Sequence, residues 1–261
     1  MSARTQRLFL PALTAPVLMG LWYLAFFLFS PERRLFLPAP HQILHALVAS
    51  RAELFSALLN TGAGALTGFL LAIAVSSLGA LLLSLSPWVR ASLYPYLMIL
   101  QMTPVVVLAP ILIMWVGAGF KSVSVITFLI CVFPLVVNST QGLISVDRRL
   151  VELFHMARAS RRQEVFLLRI PAALPYFFTG LRIAATLAPI GAVVGDFTAG
   201  NSAGAGLGFL TIIYSANFRY PELFATVVAT CALGFLFTGG VVWLSWLALH
   251  RWHDSYGRAD T

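Results

Sequence analysis

The segment that decides the fold runs from Asp147 to Pro175 and reads DRRLVELFHMARASRRQEVFLLRIPAALP. It is basic and amphipathic, and it lies between two long apolar stretches of the chain. Because charged side chains at this density are too costly to place in hydrocarbon, the segment cannot cross a bilayer. We expect it to lie at the cytoplasmic surface of a membrane and to contact a second component there.

The composition of the 261-residue chain indicates a polytopic membrane protein. Hydrophobic residues make up 59% of it and charged residues only 10%, whereas a soluble domain carries about 25% charged residues. The net charge of +8 is explained by arginines retained in cytoplasmic loops, so no nucleic-acid partner is predicted. Cys131 and Cys231 lie in apolar runs without a CxxC or Cys/His cluster, so neither a disulfide framework nor a metal site is predicted.

Six apolar segments predict an all-α membrane protein with about six transmembrane helices. They cover residues 11–29, 57–85, 92–115, 122–143, 176–196 and 222–249. The first resembles a signal peptide, but no small-residue cleavage site follows it, so we interpret it as a retained span. The predicted organisation is a first span with an outer connector (1–56), a membrane core that includes the 147–175 loop (57–249), and a cytoplasmic tail (250–261).

Two of these segments carry residues that predict special helix geometry. The second begins with small residues that allow another helix to approach closely: Gly62, Gly64 and Gly68. The third contains three prolines, which predict a bent or broken helix that lines a protein cavity: Pro95, Pro104 and Pro110. Between the last two spans, the glycine-rich and then apolar stretch at 197–221 predicts a short re-entrant or surface helix.

The distribution of basic residues predicts the orientation. With the N-terminus inside, eleven arginines fall in inner segments: Arg4, Arg7, Arg90, Arg148, Arg149, Arg158, Arg161, Arg162, Arg169, Arg251 and Arg258. Five basic residues then fall outside: Arg33, Arg34, Arg51, Lys121 and Arg219. Because basic residues concentrate in cytoplasmic loops, both termini are predicted to be cytoplasmic.

The basic segment itself is predicted to be helical from residue 147 to 166. Its apolar residues fall near one helix face: Leu150, Leu153, Phe154, Ala157 and Val165. Asp147 is a suitable N-cap and Ser160 a suitable cap for a second short helix, while Pro171 and Pro175 are expected to end the pattern. Two interpretations stay open: a helix lying on anionic lipid, or a helix bound in a groove of a partner protein.

The segment resembles the cytoplasmic EAA loop of binding-protein-dependent ABC importer permeases. Glu152 stands at the glutamate of that pattern, Pro171 at its proline, and Leu168 and Ile170 at its two aliphatic positions. Leu153 and Phe154 replace the two alanines, and Arg158 replaces the glycine that permits the turn between two short helices.

Further motifs resemble the nitrate/sulfonate/taurine branch of these permeases, which also contains permeases for thiamine-precursor pyrimidines and riboflavin. They follow in the same order as in that branch: LPAP at 37–40, QMTP at 101–104, WVG at 115–117, PAALP at 171–175, TGLR at 179–182, GAVVGD at 191–196 and GLG at 206–208.

The resemblance implies the permease subunit of a type I ABC importer in a bacterial inner membrane. It implies a pair of permease chains, an extracytoplasmic solute-binding protein, and two ATP-binding subunits that hold ATP and Mg²⁺, so that no cofactor is bound by this chain. It also implies a coupling helix that docks on the ATPase. The residues assigned to that contact are Glu152, Leu153, Phe154, Ala157, Arg158, Ser160 and Pro171.

Polar residues within the apolar segments are candidates for a translocation path. Gln101 and Thr103 stand beside Pro104, where the backbone is expected to unwind, and Asn138 lies in the middle of the fourth segment. Each has a second interpretation, because buried polar side chains commonly form hydrogen bonds between helices. Asp196 is either a gate residue or the start of the outer loop.

Other function classes are less well supported by the sequence. It contains no GxxxxGK[ST], HExxH or GxSxG motif, so we do not predict an enzyme. A secondary transporter usually carries paired intramembrane charges, which only Arg182 and Asp196 approach. Because the run from Gly191 to Asp196 resembles the pyrimidine and riboflavin members, the sequence favours a flat heterocyclic vitamin precursor as solute over nitrate, a sulfonate or taurine.

Overall fold

The computed structural model of this protein describes residues 3–199 and 205–250, with side chains over residues 13–198 and 205–250. Within these ranges every regular element is helical. The elements in the first half are α1 (Ala3–Leu28), α2 (Pro31–Arg34), α3 (Pro40–Ala49), α4 (Arg51–Leu85), α5 (Pro87–Met102) and α6 (Val105–Val116). The second half contains α7 (Phe120–Ile144), α8 (Arg148–Met156), α9 (Arg161–Glu164), a π-helix (Val165–Arg169), α10 (Ile170–Ala199), α11 (Leu207–Ala216) and α12 (Tyr220–Leu249).

Each predicted span corresponds to helical structure. Four helical stretches of the described chain are long and apolar enough to cross a membrane: α4, α7, Arg161–Thr198 and α12. A fifth span results if α5 and α6 are taken together, and the described part of α1, Leu13–Leu28, is a shorter apolar helix. The prediction of an all-α membrane protein is therefore confirmed.

The centre of the protein is formed by α4, α7 and α10, which approach one another at small residues. A side chain at Gly64 would meet Val123 of α7, and one at Gly68 would meet Thr127 and the backbone of Phe128. Gly62 instead faces Leu233 of α12. The predicted close approach along the second span is confirmed, and α7 is its main neighbour.

The third span is broken, as its prolines predict. Between α5 and α6 the chain bends by 96°. The break falls at Thr103 and Pro104, which have extended backbone conformations, while Pro95 and Pro110 lie inside the two helices. One of the three prolines therefore accounts for the break.

The expectation that Pro171 and Pro175 end the loop helix is wrong. One continuous helical stretch runs from Arg161 to Thr198, and both prolines lie within it. The π-helix at Val165–Arg169 comes directly before Pro171. Because a proline ring clashes with the carbonyl four residues earlier, a widened helical turn at this point accommodates the ring without ending the helix.

The stretch between the last two spans contains the predicted short helix. This helix is α11, which is ten residues long, mainly apolar, and packs against α10 and α12. Residues 200–204, which include part of the glycine-rich run, lie outside the described residues. So do residues 1–2 and residues 251–261, which make up most of the predicted cytoplasmic tail at 250–261.

Candidate docking site and translocation path

The helix α8 is closed by hydrogen bonds at both ends. At its start, the carboxylate of Asp147 accepts from the backbone N–H of Arg149 at 2.9 Å, which confirms the predicted N-cap. At its end, the N–H of Ala159 donates to the carbonyl of Phe154, and the N–H of Arg158 donates to that of His155. This pair of bonds is a Schellman motif, whose turning residue adopts the left-handed conformation that glycine prefers.

Arg158 is that turning residue, with φ of 52°. In the EAA loops that this segment resembles, glycine occupies this position. The arginine adopts the conformation that the turn requires although it replaces that glycine. A short helix lies on either side of it, at Arg148–Met156 and at Arg161–Glu164.

The second short helix begins at the predicted cap. The hydroxyl of Ser160 accepts from the N–H of Gln163 at 3.3 Å, and the amide oxygen of Gln163 accepts from the N–H of Ser160 at 2.7 Å. This reciprocal pair is a capping box. It fixes the start of α9 and therefore the direction in which the long helix leaves the loop.

A buried ion pair joins the loop to the membrane helices. Glu164 is only 7% exposed, and its carboxylate lies 2.6 Å from the guanidinium of Arg169 and 3.4 Å from the Nε2 atom of His155. Arg169 also donates to the carbonyl of Leu143 at the end of α7. The sequence pattern did not identify this cluster. Glu164 and Arg169 are five residues apart, a spacing that does not place two side chains on one face of an α-helix. The wider turn of the π-helix between them brings the two side chains together.

A second arginine ties the loop to α4. The guanidinium of Arg161 donates to the carbonyl of Leu85 at 2.6 Å. Since the last carbonyls of a helix have no partner within that helix, an arginine at this point satisfies one and also favours the negative end of the helix dipole. Arg161 and Arg169 thus attach the loop to the ends of α4 and α7.

Three apolar side chains of α8 are exposed although the helix also carries charged residues. Leu150, Leu153 and Met156 are 45%, 56% and 78% exposed. Phe154 is half-buried, so Leu153 is the more accessible of the two residues that replace the alanines.

The remaining residues assigned to the docking contact have different positions. Glu152 forms an exposed ion pair with Arg148 at 3.3 Å, and Ala157, Arg158 and Ser160 are exposed in the turn. Pro171 is half-buried in α10 and therefore lies outside the two short helices α8 and α9.

The candidates for the translocation path lie in two places. Gln101 is exposed near the end of α5, and the hydroxyl of Thr103 donates to the carbonyl of Ile99 at 3.2 Å, so both lie at the break of the third span. Asn138 lies between α7 and α10: its amide donates to the carbonyl of Pro134 at 2.8 Å, and its Cβ faces Gly180.

Asp196 lies inside the protein, and α10 continues for three residues beyond it. The Asp196 side chain is 8% exposed. Its carboxylate accepts from the hydroxyl of Thr61 at 2.6 Å, and the same hydroxyl accepts from the N–H of Leu207 at 2.8 Å. Asp196 and Thr61 therefore hold the N-terminus of α11 against α4 and α10. Thr61 was missed from the sequence, where it reads as an ordinary residue of an apolar helix.

The other end of α11 is also fixed. The hydroxyl of Tyr214 donates to the carboxylate of Glu53 at 2.8 Å, and the guanidinium of Arg219 lies over the Tyr214 ring at 4.8 Å. Burial, together with the Glu53 carboxylate, raises the pKa of the Tyr214 hydroxyl to about 12. The hydroxyl therefore keeps its proton and remains the donor in this bond at physiological pH.

A bundle of apolar helices with a broken span and a basic, amphipathic loop is typical of a membrane transport subunit. The chain belongs to the family of binding-protein-dependent transport system inner membrane components, whose model matches residues 64–251. It is thus the permease subunit of an ABC importer, a multi-pass protein of the inner membrane, and subunits of this class work with an ATPase and a solute-binding protein.

Proteins similar to this chain in sequence are transport permeases. The chain is 37% identical to the formylaminopyrimidine transport permease protein of Halalkalibacterium halodurans over 77% of this chain and 79% of that protein. It is 34% identical to a probable ABC transporter permease protein of Haemophilus influenzae, over 94% and 97% of the two chains. The riboflavin transport system permease protein of Chloroflexus aurantiacus is 38% identical over 56% of this chain and 53% of that protein.

Proposed function

We propose that this chain forms a homodimer on which two ATPase subunits dock, with α8 as the coupling helix. The observation that carries this proposal is the exposure of three apolar side chains on α8: Leu150, Leu153 and Met156. A nine-residue helix that leaves three such side chains in water gains stability when a partner groove covers them. In this proposal the ATPase subunits hold ATP and Mg²⁺, and this chain itself binds no cofactor.

In the proposed complex, Leu153, Phe154 and Ala157 contact the ATPase groove. Glu152 pairs with a basic or amide group of the partner, and Arg158 with an acidic one. Ser160 and Pro171 contribute indirectly, because they set the direction of α9 and the course of the long helix.

Motion of α8 is passed to the membrane helices through the attachments of the loop. The Glu164–Arg169 pair connects it to α10 and to the end of α7, and Arg161 connects it to the end of α4. A rigid-body shift of the docked ATPase would therefore act on all three central helices at the same membrane face.

The translocation path is proposed to lie along the broken span of each of the two chains. Gln101 and Thr103 supply polar groups where the backbone is interrupted, and such interruptions are tolerated at membrane depth only when they line a cavity or are buried in protein. Asn138 and Asp196 stay candidates for the path, the second as a residue that positions α11 at its outer mouth. Both termini are proposed to be cytoplasmic.

The proposed solute is a pyrimidine vitamin precursor or a related flat heterocycle such as riboflavin. The support comes from the formylaminopyrimidine and riboflavin permeases to which the chain is similar. Uptake of a labelled aminopyrimidine by cells that express the complete transporter, in competition with riboflavin, nitrate and taurine, tests this proposal. Competition by nitrate or taurine alone would contradict it.

The docking proposal is tested by co-purification. In Leu153→Asp, a carboxylate would have to enter a dry contact, which costs several kcal/mol when it is unpaired. An affinity-tagged variant should therefore retain much less of its ATPase than the wild type, while its amount in the membrane stays normal. Leu153→Met is the matched control, because it preserves volume and polarity and should retain the ATPase. Equal recovery of the ATPase with Leu153→Asp and Leu153→Met would contradict the proposal.

A further inference from the structure

We propose that this protein binds one anionic phospholipid at the membrane face that carries the loop. One acyl chain of the phospholipid would lie in an apolar groove of about 320 Å³ between α4, α7 and α10. The walls of the groove are mainly Leu78, Leu81, Leu143, Leu174 and Phe177. Its headgroup would lie in a polar cleft of about 420 Å³ within the loop.

The polar cleft has the charge that an anionic headgroup requires. It is lined by Arg161, Arg169, His155 and Glu164, so two permanent positive charges face one carboxylate. A guanidinium has five N–H donors, and Arg161 directs one Nη group to the carbonyl of Leu85. Its other donors are available for a phosphate oxygen, and Arg–phosphate bonds of this kind are strong and directional.

The cleft and the groove adjoin at two points. Arg169 lines the cleft while its chain neighbour Ile170 lines the groove. Leu143 contributes its side chain to the groove, and its carbonyl accepts from Arg169. A ligand that fits both spaces is charged at one end and apolar at the other, as a phospholipid is and inorganic phosphate is not.

An unsatisfied hydroxyl inside the groove supports the same ligand. Ser139 is 5% exposed and lines the groove one helical turn from Leu143, and its Oγ atom has no hydrogen-bond partner within the described part of the chain. Buried hydroxyls normally find an acceptor. The ester carbonyl of a phospholipid lies just below its phosphate and would accept this bond.

The groove reaches the surface at Ser77 and Leu78, which are exposed residues of α4. Leu78 is 66% exposed, and α4 is long and apolar enough to cross a membrane, so we infer that this opening faces lipid. Anionic lipids of the cytoplasmic leaflet are attracted to basic residues at its surface. The occupant is therefore within reach of the site without crossing an aqueous phase.

Native mass spectrometry of the full-length protein in detergent tests this site, with phosphatidylglycerol and phosphatidylcholine of identical acyl chains. The wild type should retain one phosphatidylglycerol more tightly than phosphatidylcholine. Arg161→Gln should weaken phosphatidylglycerol binding about five-fold, the effect of one lost hydrogen bond to the phosphate. Ser139→Ala should weaken the binding of both lipids by about the same factor, the effect of one hydrogen bond. Leu78→Trp narrows the groove where it reaches the surface and should also weaken the binding of both lipids.

Matched controls place the same changes outside the site. Arg149→Gln alters an exposed arginine of α8, and Leu66→Trp alters an exposed leucine of α4 about three helical turns from Leu78. Both should bind as the wild type does, and all variants should elute as single species on size exclusion. Equal retention of the two lipids, or site variants that match their controls, would overturn the proposal. So would full displacement of phosphatidylglycerol by inorganic phosphate, which would identify a simple phosphate site.

Discussion

At the scale of single residues, the loop shows how one substitution is absorbed without a change of fold. Arg158 adopts φ of 52°, a conformation that costs an ordinary L-residue about 1–2 kcal/mol relative to the right-handed region. The Schellman hydrogen bonds around it and the cap at Ser160 hold the turn in place. The arginine side chain is exposed there, where it can contact a partner.

Substitutions at Arg158 should separate backbone strain from side-chain contacts. Arg158→Gly should leave the apparent melting temperature unchanged or slightly higher, because glycine adopts this φ without strain but loses more entropy on folding. Arg158→Val should lower the apparent melting temperature, since a β-branched residue is strained at positive φ. Thermal unfolding of the detergent-solubilised protein checks this order, and a valine variant as stable as the glycine variant would contradict it.

The Asp196 cluster leads to a second prediction at this scale. A Cβ atom at Gly206 would overlap the Asp196 carboxylate, so Gly206→Ala should displace α11 and lower the apparent melting temperature. Thr61→Val should cost about 1–3 kcal/mol, because it leaves the buried N–H of Leu207 without its acceptor and removes one donor to Asp196. Gly239→Ala is the matched control: it has no neighbour within 4 Å and should be neutral or stabilising. Equal stability of Gly206→Ala and Gly239→Ala would mean that the cluster does not hold α11.

At the scale of elements, helix contacts depend on small residues more than on apolar patterning. All faces of α4 are apolar, and what selects its α7-facing side is the absence of side chains at Gly64 and Gly68. The sequence predicted this correctly because small residues are recognisable in a spanning segment. It failed at Pro171, where the π-helix keeps the helix continuous, because a proline alone does not show whether the preceding turn can widen.

The contact between α4 and α7 can be tested with a pair of alanines. Gly68→Ala would bring a methyl group to 2.7 Å from Thr127 Cβ and 2.9 Å from the Phe128 nitrogen, so the helices would have to separate. We expect a loss of about 1–3 kcal/mol, as for overpacked cores. Gly79→Ala meets only Val136 at 3.8 Å and should be tolerated. Comparable melting temperatures for the two variants would show that α4 and α7 are not closely packed at Gly68.

At the scale of the whole molecule, the sequence predicted the helical membrane fold, the break in the third span and the caps of the loop. Each of these depends on local chemistry: apolar length, a proline, or a capping side chain. The clusters at Glu164–Arg169 and Asp196–Thr61 were not predictable, since their members meet only after the π-helix and the packing of α4 and α11 have placed them. The two-chain assembly and the solute depend on partners and stay proposals.

The orientation of the molecule is a prediction at this scale. In a Cys231→Ser background, Cys131 is buried and single cysteines at Arg149 and Phe218 report the two membrane faces. An impermeant thiol reagent should label Phe218→Cys in intact cells, and Arg149→Cys only after the membrane is permeabilised. The reverse pattern would place the loop outside the cell, where an ATPase has no access to it.

The most direct test of the central claim is ATP-dependent solute uptake in proteoliposomes that contain this chain, its ATPase and its loaded binding protein. With the wild type and Leu153→Met, ATP should drive accumulation of the solute, and the binding protein should stimulate ATP hydrolysis. With Leu153→Asp, both should fall to the level without ATP or binding protein, because α8 no longer docks. If Leu153→Asp supports uptake and stimulated hydrolysis at wild-type levels, α8 is not the coupling helix and the account given for the loop is wrong.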